Sequence, residues 1–399
     1  MPEKELPLTG IRVLDLSRVL AGPYCGMLLS MLGAEVIKVE EKGGDESRQW
    51  PPAAKGLGSS YLGINLNKRG IVLDLKAPEG QQVVRDLVQT CDVLVENFKN
   101  GTMEKFGLSY EELSGLNPRL VYTSISAFGR IGPRADDLGY EALVQAYSGV
   151  MDATGFPDGL PVRCGVSFLD MSTGITATLA TVSALYLRER TGRGARCDAS
   201  LLQTSLGLQT PQVSNFFQHG MIPKRMGTAH GQLVPYQAYP TADGHIFIAS
   251  GNQNLWERFC RALGLEWMIA DPRFTDNFLR VKNREVLLAE IFKAIAQWKT
   301  DDLIVQLKQH GVPATRVNNI KGLMDDGHVE AIGALASLDD PEHGRLKVSG
   351  LPFFIDGRPG RVERRAPDLG EHTRAVLAEL RYPEEKIQAL LDKGVVRGS

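Results

Sequence analysis

The amino-acid sequence predicts an α/β chain, with a large Rossmann-like, doubly wound domain and a smaller α+β domain. Three observations predict it. Apolar runs of strand length alternate with helical segments across residues 11–126. The composition shifts near residue 205. Beyond that point short strand runs are followed by helices.

Each element follows from its residues. Residues 11–17 form a buried-strand run ending in a loop. Gly22 and Pro23 open a helix over 24–32, where proline suits a first turn because its missing N–H has no partner there. Gly33 stops that helix and 34–40 is the second strand, giving the βαβ unit that starts a doubly wound sheet. Further strands are expected over 70–75, 93–96 and 120–126, with helices over 78–90 and 110–116. A polar connection, 209–225, leads to strands over 236–240 and 244–250, joined by a turn at Asp243 and Gly244. Helices are expected over 254–263, 283–297 and 300–310, then strand-like runs within 329–354 and helices over 370–380 and 384–393.

Composition narrows the function. The 399 residues carry 45 Lys plus Arg against 47 Asp plus Glu, a net charge of −2. A nucleic-acid surface normally shows a basic excess, so no nucleic-acid partner is expected. The five cysteines include no C-x-x-C pair and read as reduced thiols. Residues 1–8 show neither an apolar signal core nor an Arg-rich transit pattern. No apolar run approaches the roughly 20 residues that span a bilayer. The expectation is a cytoplasmic chain with no membrane partner. The first turn, Ser17-Arg-Val-Leu-Ala-Gly-Pro, lacks the G-x-G-x-x-G fingerprint, so Glu40 and Glu41 are weak candidates for a dinucleotide ribose. Seven histidines form no H-x-x-x-H pair, no metal site is expected, and no G-x-S-x-G elbow is present.

Asp170 is the most informative residue. It ends an apolar strand-like run starting at Gly155, and Ser172, Thr173 and Gly174 lead into a helical run, 175–185. A carboxylate there caps the helix through its first amides, or is a reactive group kept ionised by the helix's positive end. As a nucleophile it attacks only an activated carbonyl.

The ordered motifs resemble the class III CoA-transferases, the family that includes formyl-CoA transferase, carnitine CoA-transferase and the 2-methylacyl-CoA racemases. They are Leu8-Thr-Gly-Ile-Arg-Val-Leu-Asp-Leu with Ala21-Gly-Pro, Gly33-Ala-Glu-Val-Ile-Lys-Val-Glu, Asn65-Leu-Asn-Lys-Arg-Gly, Val93-Leu-Val-Glu-Asn-Phe, Gly139-Tyr-Glu, the Asp170 segment, and Leu369-Gly-Glu-His-Thr. The resemblance implies that Asp170 is the nucleophile, passing through a mixed anhydride and an aspartyl-CoA thioester. It implies CoA as substrate, with no permanently bound cofactor. It places CoA at Leu20, Ala21, Leu73, Asp74, Leu75, Lys76, Asn97, Phe98, Lys99, Lys105, Leu138, Gly139, Tyr140 and Glu141. Lys76, Lys99 and Lys105 would meet phosphates or lie solvated on the surface; Phe98 would pack on adenine or fill core.

Two positions depart from formyl-CoA transferase. Glu41 stands in place of an arginine, for which Arg48 or Arg69 would compensate, and Leu20 replaces a glutamine. The loop expected to face the acid and the oxyanion, Thr228, Ala229, His230, Gly231 and Gln232, lacks the run of glycines. His230 is either an acceptor-carboxylate ligand or a plain loop histidine. The racemase branch carries a Gly-His-Asp string, where this chain has Gly139-Tyr140-Glu141; an inactive acyl-CoA-binding protein would have lost Asp170.

The transferase reading is therefore favoured, with succinyl-CoA as donor and a dicarboxylate acceptor. Formyl-CoA:oxalate and carnitine-type transfer are the alternatives. The family also implies an interlocked homodimer. In that plan 1–208 is the large domain, 209–225 a linker, 226–328 the small domain and 329–354 a return linker. Residues 355–399 would complete the large domain.

Overall fold

The computed structural model describes residues 5–54 and 57–398. The first four residues of the N-terminal segment weighed above, and Ser399, lie outside them. The chain divides into two compact units. One comprises Met1–Val150, Cys164–Met221 and Val329–Ser399; the other comprises Met151–Arg163 and Ile222–His328.

The first unit is built on strands β1 (Arg12–Asp15), β2 (Glu35–Glu40), β3 (Arg69–Leu73), β4 (Val93–Glu96), β5 (Val121–Ser126) and β6 (Arg196–Ser200). Their order is 3-2-1-4-5-6, all parallel, with the short strand Val396–Arg397 added antiparallel at the β3 edge. That order is the doubly wound one, with its switch point between β1 and β4. Side chains alternate across the pleat. Val13, Val36, Val93 and Val121 enter one core, while Leu14, Ile37, Ile71 and Leu94 enter the other. Both faces are covered, as a parallel sheet requires. Helix α1 (Ala21–Met31) belongs to the first core; α2 (Pro78–Val88) and α3 (Tyr110–Leu116) pack in the second.

Helix α4 (Glu141–Tyr147) precedes the long helix α5 (Phe168–Thr191), which packs along α1, β5 and β6. By length and composition α5 is long and apolar enough to cross a membrane. That corrects the expectation that no run approaches the length; one side of the helix packs on the sheet, while Leu179 and Tyr186 are exposed. Along α5, Gly174 meets Ala21 and Tyr24, while Thr178 and Thr181 lie against Cys25. The two helices therefore run side by side in the same sense.

Two expected linkers are structured. Within 209–225 lies a helix, because α6 (Leu201–Leu208) is followed at once by α7 (Thr210–His219), with Pro211 in its first turn. No residue of α7 is buried, and Phe217 is 76% exposed. Within 329–354 lies the antiparallel hairpin Leu335–Asp340 and Gly344–Ser349.

The second unit has a three-stranded antiparallel sheet, with His245–Ala249 between Tyr236–Pro240 and Ala314–Arg316. Helices Gln253–Leu263, Arg284–Ile295 and Thr300–Gln309 supply its core around Tyr239, Trp256 and Phe259.

A Cβ at Gly174 would stand 2.8 Å from the Ala21 carbonyl oxygen and 2.9 Å from the Tyr24 ring. Gly174→Ala is expected to cost about 1–3 kcal/mol, the usual range for overpacking. Gly115→Ala, with open space around it, is the control. Urea midpoints should separate the two variants; equal midpoints would show that the contact between α1 and α5 yields easily.

Candidate active site

Asp170 does not cap α5. The helix starts two residues earlier, at Phe168, and no side chain caps that start. Two contacts draw it back. Leu169 is fully buried against Val144 and Leu201, and its amide donates to Glu141 Oε1 at 3.3 Å. Asp170 thus stands in the first turn, and no strand precedes it within 155–167. Among the described residues its carboxylate accepts no hydrogen bond. Burial, followed by the nearby Glu141 carboxylate, pushes its pKa up to about 7. The expectation that the helix end keeps it readily ionised is therefore corrected: here desolvation and like charge outweigh it.

Glu141 is buried at the start of α4, where Gln145 Nε2 donates to it at 2.8 Å. Gln145 Oε1 in turn accepts the Cys164 amide at 3.0 Å. Gly139 lets this chain segment close on Ala127, whose Cβ would lie 2.3 Å from a Cβ there. Leu138 and Tyr140 are exposed. Of the four residues 138–141, it is Glu141 that the structure brings to Asp170.

The remaining expected CoA positions separate into groups. Leu73, Asp74, Leu75, Lys76 and Phe98 line one cavity of about 90 Å³ at the β1, β2 and β3 ends. Asn97 does not line it; its side chain holds the Arg18 amide and carbonyl, both at 2.8 Å, across the switch point. Leu20 and Ala21 open α1. Lys99 lines a second cavity of about 560 Å³ with Glu96, Glu104, Tyr122 and Arg130, and Lys105 is exposed at the end of the short helix Thr102–Lys105.

Sequence reasoning missed Arg18. It lines the smaller cavity, lies 5.8 Å from the Phe98 ring centre and pairs with Glu41 at 3.4 Å. Its place in the first βα loop is the signal that was available. The compensation expected from Arg48 or Arg69 is corrected, because both are already committed. Arg48 is buried against Glu40, Tyr61 and the Pro367 carbonyl, and Arg69 binds Glu35 and Glu379.

In the second unit, the loop containing Thr228, Ala229, His230, Gly231 and Gln232 is tied down from several sides. Thr228 Oγ1 accepts the Ala238 amide, Arg284 donates to the carbonyls of His230 and Gly231, and Asn277 donates to that of Gln232. The Ala229 amide donates to Met226. His230 Nδ1 accepts the Gln232 amide at 3.1 Å, so the neutral ring carries its proton on Nε2. The His230 ring is exposed and meets Tyr236 edge-on. Among the described residues, no three His, Cys, Asp or Glu side chains gather as a metal site.

A model of CoA-transferase family III matches residues 8–373. A protein named succinate–glutarate CoA-transferase, from Agrobacterium fabrum, is 41% identical over 95% of this chain and 97% of its own length. The Mus musculus protein named succinyl-CoA:glutarate CoA-transferase is 38% identical over 98% of this chain and 90% of its own length. A solved CAIB/BAIF family protein from Brucella suis superposes with a TM-score of 0.85 at 39% identity, covering 94% of this chain and 100% of that one. The chain belongs to CoA-transferase family III.

The raised Asp170 pKa gives a stability signature. The unfolded carboxyl titrates near 3.8 and the folded one near 7, so between those values the native state holds the extra proton. Stability from this group falls as pH rises through that window, and the cost is complete above about 7. Asp170→Asn should raise the melting temperature at pH 8 and leave it nearly unchanged at pH 4. An equal shift at both would contradict the placement.

Proposed function

We propose that this enzyme transfers CoA from succinyl-CoA to a short dicarboxylic acid, with Asp170 as the covalent carrier. The partly buried carboxylate beside Glu141, without a hydrogen-bond partner among the described residues, carries the reading. An Asp170 oxygen attacks the thioester carbonyl, the C–S bond breaks, and CoA thiolate leaves a mixed anhydride. The thiolate attacks the aspartyl carbonyl, expelling succinate and forming aspartyl-CoA. The acceptor carboxylate then displaces the thiolate to give a second anhydride. Attack by the thiolate on the acceptor's acyl carbon releases the new CoA ester and free Asp170. Every step exchanges one acyl bond for another, so no net proton, electron or nucleotide is consumed. A carboxylate with a raised pKa is the stronger nucleophile once ionised.

CoA would extend from the cavity of Leu73, Asp74, Leu75, Lys76 and Phe98, with Arg18 supplying cationic charge. His230 Nε2–H is a donor suited to a carboxylate, and its fixed tautomer supports the acid-binding role for the loop. The dicarboxylate preference is supported by the names of the two relatives. α-Proton transfer by a racemase needs an imidazole where Tyr140 stands.

A homodimer, interlocked as in the family, completes the proposal. Its support is the uncovered apolar surface of the first unit, comprising Phe216 and Phe217 of α7 and Leu179 and Tyr186 of α5. A groove of about 570 Å³ lies between α5 and α6, lined by Ile175, Thr176, Gln203, Thr204 and Leu208.

Incubation with succinyl-CoA and a panel of acids, read by mass spectrometry, should yield CoA esters of glutarate-sized dicarboxylates ahead of oxalate or carnitine. Asp170→Ala should abolish exchange while staying folded; unchanged exchange would sink the mechanism. The kcat/KM for acyl-CoA should fall below a pH limb near 7, where Asp170 takes up its proton. Glu141→Gln removes a like charge and should move that limb to lower pH; an unmoved limb would detach it from Asp170. Light scattering should give a dimer and no folded, active monomer.

A further inference from the structure

In the loop between β1 and α1, the consecutive backbone polar groups from the Ser17 amide to the Val19 amide are each held by a side chain. Asp15 accepts the Ser17 amide at 3.0 Å, Lys38 donates to the Ser17 carbonyl, and Asn97 takes both polar groups of Arg18. Asp45 accepts the Val19 amide at 3.1 Å. Lys38 Nζ, 3.2 Å from Asp45, neutralises it, and both side chains are buried. What these groups hold is strained. Val19 has φ of 71°, a left-handed backbone that a β-branched residue adopts only when its surroundings enforce it.

The next three amides differ from those before them. Among the described residues, the N–H groups of Leu20, Ala21 and Gly22 donate to nothing. They point off the start of α1, where Gly22 sits so close to Ser17 that a Cβ would lie 2.2 Å from the serine Cβ. Along α5 the contacts step from Thr181 and Thr178 beside Cys25 to Gly174 beside Ala21. One helical turn further on, on the same face, comes Asp170. It therefore stands past the end of α1 from which those three amides project.

We propose that Asp45 is a positioning residue: by holding Val19 left-handed it fixes the Leu20, Ala21 and Gly22 amides where the oxyanion formed at the acyl group on Asp170 develops. The inference rests on Asp170 being the nucleophile. Loop Ser17–Leu20 without this clamp would relax Val19 to negative φ and turn the peptide units that follow. Pre-aimed donors are worth far more than donors that must reorient during reaction. Asp45 itself touches no substrate.

The test is a rescue. Asp45→Ala removes the acceptor and should lower kcat on the order of a hundredfold, the usual effect of losing an oxyanion donor, with the acyl-CoA KM and the pH limb near 7 little changed. Glycine adopts φ of 71° without steric penalty, so Val19→Gly in the Asp45→Ala background should recover most of the lost kcat. If Asp45→Ala fails to fold because Lys38 is left unpaired, the Lys38→Met, Asp45→Ala double variant removes both charges and takes its place. A kcat that follows only the folded fraction, or no recovery with Val19→Gly, would overturn the proposal. Asp170→Ala run alongside separates the two ideas, because exchange surviving there defeats the nucleophile reading and the inference built on it, whereas failed rescue defeats the clamp alone.

Discussion

Two lysine–aspartate pairs sealed from water govern the carboxyl end of the sheet. Lys68 lies 2.8 Å from Asp15 and also bonds the Pro23 carbonyl and Asn65; Lys38 joins Asp45 and the Ser17 carbonyl. Charges this deeply buried are tolerable only with every partner in place, since removing one partner costs about 3–5 kcal/mol. They also bond backbone of the β1–α1 loop, the segment after β2 and the start of α1, and so tie the three together. Burial lowers the Lys68 pKa to about 8, against the opposing pull of Asp15. The switch point of the sheet thus has a rigid floor, and the open end of α1 is built on it.

Above that floor the chemistry turns on a carboxylate treated in the opposite way. Asp15 is paired and hydrogen-bonded, and stays below the usual carboxylate range despite burial. Among the described residues Asp170 receives no cation and no donor, only Glu141, and its pKa rises to about 7. The same residue type is inert in one place and primed in the other. Its environment decides which.

The strands that the sequence made legible are those buried on both faces, since parallel packing leaves uninterrupted apolar runs such as 11–17 and 34–40. β6 was missed because Arg196, Cys197 and Asp198 read as polar; it is the edge strand, and its outer residues remain exposed. The helix α7 was read as a polar connection for a similar reason, since no residue of it enters the core. Asp170 was legible, but that it would not cap the helix was not, because the carboxylate that takes the Leu169 amide comes from Glu141, 28 residues away. Arg18, Arg48 and Arg69 show the same limit. Which arginine is available depends on partners distant in sequence, among them Pro367 and Glu379, and no local pattern reveals that Arg48 and Arg69 are already committed.

The most direct measurement is a search for the covalent carrier itself. The enzyme is mixed with succinyl-CoA without an acceptor, quenched in acid within the turnover time, digested and mapped by mass spectrometry. A CoA adduct on the peptide containing Asp170, absent when glutarate is added to discharge it, is the expected result. An unmodified Asp170 peptide alongside full exchange activity, or an adduct at another residue, would contradict the central claim.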